Sequence, residues 1–376
     1  MENLAQFMSD NLRELVLTGY RSVLDNPREA RFALQLQRTI ARGERRRKRI
    51  LKEEGLEVPP FLICSIATTC NLKCKGCYAR AGGIAGDEPT KPTLTADEWH
   101  RLFEEAAQMG FSVALLAGGE PLTRRDLLEG IASVKEMLFP VFTNGTLIGP
   151  QYVEFFKKHL NVLPVISLEG DALATNTRRG QGVYERALLS MKMLHDAGLF
   201  FGTSITVTTE NKTAVTSDEY VSQLHELGCK LVFYVEYVPI DPGTEHLAFG
   251  DEDVQWMEQR LEELRGNDSH INELTHSHNI IFVSFPGDEK LLDGCMAAGR
   301  GFFHIGPDGA AEPCPFSPHS DTNAARDGLR AALRSPLFSK LRSASALSWQ
   351  HTGGCTLYEH REEVEALISN NRDKMG

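Results

Sequence analysis

The sequence predicts an α/β protein: a partial (β/α)6 TIM-like barrel with an N-terminal helical segment and a small C-terminal α+β auxiliary domain. Three observations lead there. Six apolar runs of strand length alternate with amphipathic segments between residues 59 and 266. The runs are apolar at consecutive positions, as in strands buried on both faces of a parallel sheet. Six units are too few for a closed eight-stranded barrel, which leaves a partial barrel or an open doubly wound sheet. Either architecture places chemistry at the C-terminal ends of the strands.

The elements follow in order. Residues 1–58 read as two or three helices, broken at Asn26-Pro27 and ended by Val58-Pro59-Pro60. The N-terminus carries acids and lacks the basic start and apolar core of a signal peptide. No apolar run approaches the roughly 18 residues of a membrane helix. A cytoplasmic protein without a transmembrane segment is expected. The strand candidates are FLICSIA (61–67), FSVALLA (111–117), LFPVFT (138–143), VLPVISL (162–168), FFGTSITVT (200–208) and KLVFYVEYV (230–238). The clearest helix is ADEWHRLFEEAAQM (96–109), introduced by Thr95 and Glu98 as a capping box and stopped by Gly110. After residue 266 the alternation stops, so residues 267–376 are expected to form a separate domain. Within it FFHIGPDGAAEPC (302–314) reads as a hairpin turning at Pro307-Asp308-Gly309.

Charge narrows the partners. Of 376 residues, 41% are apolar and 24% charged, with a net charge of −11. The segment 41–49 holds six basic residues and one acid, leaving 34 basic against 50 acidic residues elsewhere, a balance of −16. An acidic body argues against nucleic acid as a partner. The basic run is expected to be a solvated helix face.

Eight cysteines in a chain that needs no disulfides point to metal binding or catalysis. In TTCNLKCKGCYAR (68–80), Cys70, Cys74 and Cys77 lie just past the first strand, where the architecture puts an active site. A structural zinc site would want a fourth ligand nearby, and the next cysteine is the distant Cys229. An iron–sulfur cubane held by three thiolates keeps one iron open for another molecule. A second motif, LLAGGEPL (115–122), brings Gly118, Gly119 and Glu120 to the same sheet end. Glycines there let backbone approach a ligand, and a carboxylate helps to hold an ammonium group.

Together these residues resemble the radical S-adenosylmethionine (AdoMet) superfamily, with its Cys-x3-Cys-x2-Cys loop and Gly-Gly-Glu-Pro motif. The resemblance implies a [4Fe-4S] cluster on Cys70, Cys74 and Cys77, AdoMet on its open iron, and the methionyl amino group near Gly118, Gly119 and Glu120. It also implies cofactor contacts from Ser167 and Glu169 in SLEG (167–170), from Arg179, and from Ser204. The family's usual aromatic residue before the third cysteine is Gly76 here, and an aromatic follows instead at Tyr78. Cys295, Gly309 and Cys314 resemble the opening Cys-x(9–15)-Gly-x4-Cys of SPASM domains, and with Cys355 the shorter twitch form. That likeness implies an auxiliary iron–sulfur cluster whose fourth ligand is substrate, water, or a residue such as His304, His319, His351 or Asp308. The implied reaction is reductive cleavage of AdoMet to a 5′-deoxyadenosyl radical that takes hydrogen from a substrate. A flavodoxin or ferredoxin would serve as low-potential electron donor. A peptide or protein is the first expectation for the substrate; a tetrapyrrole or another small molecule is the alternative. A non-catalytic iron–sulfur protein is the reading from another class.

Overall fold

The structure, a computed structural model, describes residues 27–87, 92–265, 280–285, 294–344, 346–348 and 355–369. Strands β1 (Phe61–Ala67), β2 (Val113–Gly118), β3 (Phe139–Thr143), β4 (Val162–Leu168), β5 (Gly202–Val207), β6 (Leu231–Glu236) and β7 (Ile281–Phe285) pair in parallel, in sequence order. The sheet then continues on the other side of β1. There β8 (His304–Ile305) pairs parallel to β1, and β9 (Ala311–Glu312) closes an antiparallel hairpin onto β8. Nine strands in an open order make a partial barrel of the expected class.

Two differences from the sequence reading have physical causes. The sheet does not end at residue 266, because β7 pairs with β6 from Leu231↔Ile281 to Val235↔Phe285. Its run of five residues is short and lies well beyond the end of the helix Asp251–Arg265, so periodicity alone gave it no place. The auxiliary hairpin, in turn, extends the barrel sheet; Ile63 pairs with His304 and Cys64 with Ile305.

Helices pack around the sheet, the first across the lower end of the barrel and the others against its outer face. They include α1 (Pro27–Glu54), α2 (Ala96–Met109), α3 (Arg125–Ile131), α4 (Pro150–Lys158), α5 (Ala172–Arg179), α6 (Val183–Asp196), α7 (Asp218–Glu226) and α8 (Asp251–Arg265). The capping box on α2 is formed, and Gly110 ends that helix in a left-handed conformation at φ 100°. The main core lies between strands and outer helices, around Trp99, Phe103, Phe139 and Ile166, all without solvent exposure. A second apolar cluster stands apart from it. In this one Phe32, Leu36 and Ile40 of α1 meet Leu138, Leu163, Val165 and Leu231 of the strands.

The basic run of α1 is not a uniformly solvated face. Arg42 and Arg46 pair with Glu136, and Arg47 is buried, donating to Gly110 O at 2.6 Å. Burial pulls the Arg47 pKa down to about 10. Gly43 permits this packing, since a Cβ there would lie 2.2 Å from Ser112 Oγ. The helical reading of residues 1–26 lies outside the described residues.

Candidate active site

The cysteine loop leaves β1 and is fixed from three sides. Asn71 joins it to the loop after β3, accepting from Asn144 Nδ2 at 2.9 Å and donating to Thr146 Oγ1 at 2.8 Å. Arg178, near the end of α5, donates to the carbonyls of Lys75 and Gly76, while its own carbonyl accepts from Lys75 N. Gly76 adopts φ +62°, and a Cβ on it would lie 2.9 Å from Tyr237 Oη. Glycine is therefore required at this position; an aromatic side chain would have to displace the Tyr237 ring, which arrives just past β6.

The Gly-Gly-Glu motif docks against that loop. A Cβ on Gly119 would come within 2.1 Å of Thr69 O, and one on Gly118, at φ +110°, within 2.5 Å of Ala67 O. The glycines thus let the ends of β1 and β2 close on each other. Glu120 is buried, and its carboxylate accepts from Leu122 N, Thr143 Oγ1 and Asn144 N. Burial raises its pKa, and those three donors oppose the rise. Burial also raises the thiol pKa values of Cys70 and Cys74, with the nearby Arg179 charge opposing it at Cys74.

One cavity of about 470 Å³ collects these groups. Its upper wall holds Cys70, Cys74, Cys77, Gly118, Gly119 and Glu120. Tyr78, Ser167, Ser204, Arg178 and Arg179 line it as well. Ser167 and Ser204 lie 3.2 Å apart on neighbouring strands. Burial forces the Tyr78 phenol upward in pKa, and its ring meets Phe316 edge-on at 5.6 Å. Glu169 is not in the wall. Both Arg178 and Arg179 reach its Oε1 at 2.5 Å, so it anchors the arginines from behind. Burial works against the Arg179 charge, and the Glu169 carboxylate together with Cys74 and Cys77 outweighs it, leaving its pKa raised.

The C-terminal cysteines come from three separate segments and converge. Cys314 and Cys355 share a side-chain hydrogen bond that raises the Cys314 pKa and lowers that of Cys355; Cys295 is close enough to add to the rise at Cys314. Backbone N–H groups face several sulfurs: Leu72 at Cys70, Phe316 at Cys314, and Leu357 and Tyr358 at Cys355. Met296, Pro315 and Phe316, each within two residues of Cys295 or Cys314, line the same cavity as the first cysteine loop. Among the described residues, no three Cys, His, Asp or Glu side chains are already drawn into metal-holding geometry. Of the residues expected as further ligands, His304 is fully buried between Ser65 Oγ (2.8 Å) and Glu312 Oε2 (2.6 Å), so both ring nitrogens are occupied. Asp308 caps the hairpin turn by accepting from Ala310 N, and His319 is half-exposed. His351 lies outside the described residues. A neighbour the sequence gave no reason to name, Ser317, has a buried hydroxyl with no partner among the described residues.

Residues 64–217 match the model of the radical SAM superfamily. Over that stretch the chain is similar to the radical SAM superfamily. It is similar to an AdoMet-dependent heme synthase of Methanosarcina barkeri, 26% identical over 81% of this chain and 89% of that protein. A Fe-coproporphyrin III synthase of the same organism is 31% identical over 40% of this chain, a match spanning only 38% of that relative. Streptococcus suis SuiB, solved with S-adenosylmethionine, has a similar fold, with a TM-score of 0.63 at 20% identity over 80% of this chain and 71% of that one. Radical SAM enzymes use a [4Fe-4S] cluster and AdoMet, and no described helix is long and apolar enough to cross a membrane.

Proposed function

We propose that Cys70, Cys74 and Cys77 hold the [4Fe-4S] cluster of this radical SAM enzyme and that AdoMet lies beside it along Gly118, Gly119, Glu120, Ser167, Ser204 and Arg179. One observation carries the assignment: all of these groups line a single cavity at the C-terminal ends of parallel strands. The donor set fits the cofactors. Three thiols leave a ligand position for AdoMet, and N–H groups aimed at sulfur favour iron–sulfur ligation. When bound, cluster and AdoMet supply reductive cleavage of the sulfonium to a 5′-deoxyadenosyl radical that abstracts hydrogen from substrate.

The chain's own residues do the rest. Glu120, fixed by three donors, offers a stationary carboxylate to an ammonium group. Arg178 keeps the cysteine loop in place, and with Glu169 it sets Arg179 against the cavity wall. The C-terminal segment closes the cavity through Met296, Pro315 and Phe316, which shields a reactive centre from water. We assign Cys295, Cys314 and Cys355 to an auxiliary iron–sulfur cluster, with the orphaned Ser317 hydroxyl beside it as a further polar contact. A flavodoxin or ferredoxin is the proposed reductant.

For the substrate, a small molecule is the better reading, and the peptide expected first is the second. The similarity to an AdoMet-dependent heme synthase runs over most of both chains, which favours small-molecule or haem-type chemistry. The peptide-bound SuiB structure is similar in fold alone and gives the peptide reading less support. The test is anaerobic reconstitution followed by dithionite reduction with AdoMet. Formation of 5′-deoxyadenosine supports the assignment; none, with both clusters present, overturns it.

A further inference from the structure

Below the cofactor groups the same cavity continues through the barrel and changes character. Most of its polar and charged lining residues, Glu120, Asn144, Ser167, Ser204, Arg178 and Arg179, stand at the C-terminal strand ends; Arg265, bonded to Phe282 O near the start of β7, is a charged exception. Val113, Leu138, Leu163, Leu231 and Ile281 line the cavity near the N-terminal strand ends, and Leu115, Phe142, Phe233 and Val283 farther along the strands. The floor is α1: Phe32 stacks on Phe200 at 4.5 Å and, with Leu36, seals the lower opening. Barrels of this kind are ordinarily filled by their inward side chains. Here Val113, Leu115, Phe142, Phe233, Ile281 and Val283 keep accessible surface although they point into the interior.

We infer that this lower lumen is a subsite for the hydrocarbon chain of the substrate. The inference rests on the cofactor assignment above and adds the substrate's chemical class, an amphiphile with its polar end beside Arg178 and Arg179. An apolar cavity offers water no hydrogen-bond partners and stays dry, while unfilled space forfeits contacts for every side chain around it. A chain entering from the polar end would recover those contacts. The closed floor sets its direction, placing the carbons next to the polar head nearest AdoMet.

Full-length protein titrated with cis-parinaric acid, a fluorescent fatty acid kept below its micellar concentration, tests this. One saturable site per chain is expected, displaced by octanoate, dodecanoate and hexadecanoate. Competition should strengthen roughly tenfold per two added methylenes until the lumen is full. Val113→Trp, which fills the lumen near its floor, should weaken the probe at least tenfold. Absence of a saturable site in the wild type overturns the inference, as does undiminished binding by folded Val113→Trp. Should that variant fail to fold, the chain-length series on the wild type decides, and competition indifferent to length counts against the lumen. Wild-type protein that makes 5′-deoxyadenosine but does not bind the probe sinks this inference alone. Probe binding without AdoMet cleavage sinks the cofactor assignment and leaves the lumen site standing.

Discussion

The two cysteine sets are alike in number and opposite in construction. Cys70, Cys74 and Cys77 sit on one loop at spacings of three and two residues, and the rest of the barrel holds that loop by its backbone, through Asn71, Arg178 and the close approach of Gly119. Cys295, Cys314 and Cys355 come from three segments, and what joins them is tertiary: Cys295 N donates to Leu347 O, and Cys314 meets Cys355 directly. A loop whose ligands are contiguous needs a frame; a site with scattered ligands needs the whole C-terminal segment folded first. The hairpin that brings Cys314 is itself fastened to the barrel by Ser65, His304 and Glu312. The second set therefore depends on the first strand, whereas the backbone bonds that hold the first loop come from the barrel, and its link to the second set is the packing of Tyr78 on Phe316.

That asymmetry can be broken, beginning with the largest effect. Cys70→Ala should reduce 5′-deoxyadenosine formation to background while iron falls from about eight to about four per chain, measured after anaerobic reconstitution. Simultaneous Ala replacement of Cys295, Cys314 and Cys355 should also halve the iron. It should spare cleavage of AdoMet in the absence of substrate, and loss of that cleavage would show that the first site does depend on the second.

His304→Ala removes the partner of a buried carboxylate, and a broken buried pair costs about 3–5 kcal/mol. Thermal unfolding should register it, and iron analysis should show preferential loss of the auxiliary half. Glu169→Gln leaves two arginines facing a neutral group. A weaker affinity for AdoMet by titration is expected, with auxiliary iron unchanged. The smallest effect belongs to Thr95→Ala, which removes a helix cap at about 1 kcal/mol and should leave both iron content and cleavage as they were.

Much of the barrel was legible because its signals are local. Strand runs buried on both faces, the Thr95–Glu98 box and the stop at Gly110 each depend on a few neighbouring residues. The strand β7 was not legible, since five residues with no flanking periodicity carry too little pattern. Neither was the role of Glu169, which needed two arginines from α5 to turn it away from the cavity. Gly76 looked like a missing aromatic; only the arrival of Tyr237 from the end of β6 explains why no side chain fits there. The apolar lumen was hidden for the same reason. Phe32 and Phe233 are ordinary apolar residues in their own segments, and the space between them exists only once the sheet has curved.

The sequence by itself determined the three-cysteine spacing of the first loop, the parallel α/β architecture and the strand end at which that loop lies. These follow from residue type, spacing and periodicity, which are properties of short stretches. The tertiary structure decided that Arg178 holds the cysteine loop while both arginines reach Glu169, that His304 is spent on a buried contact with Ser65 and Glu312, and that neighbours of the second cysteine set line the cavity of the first. Each of these is a relation between residues far apart in the chain, fixed by packing rather than by local pattern.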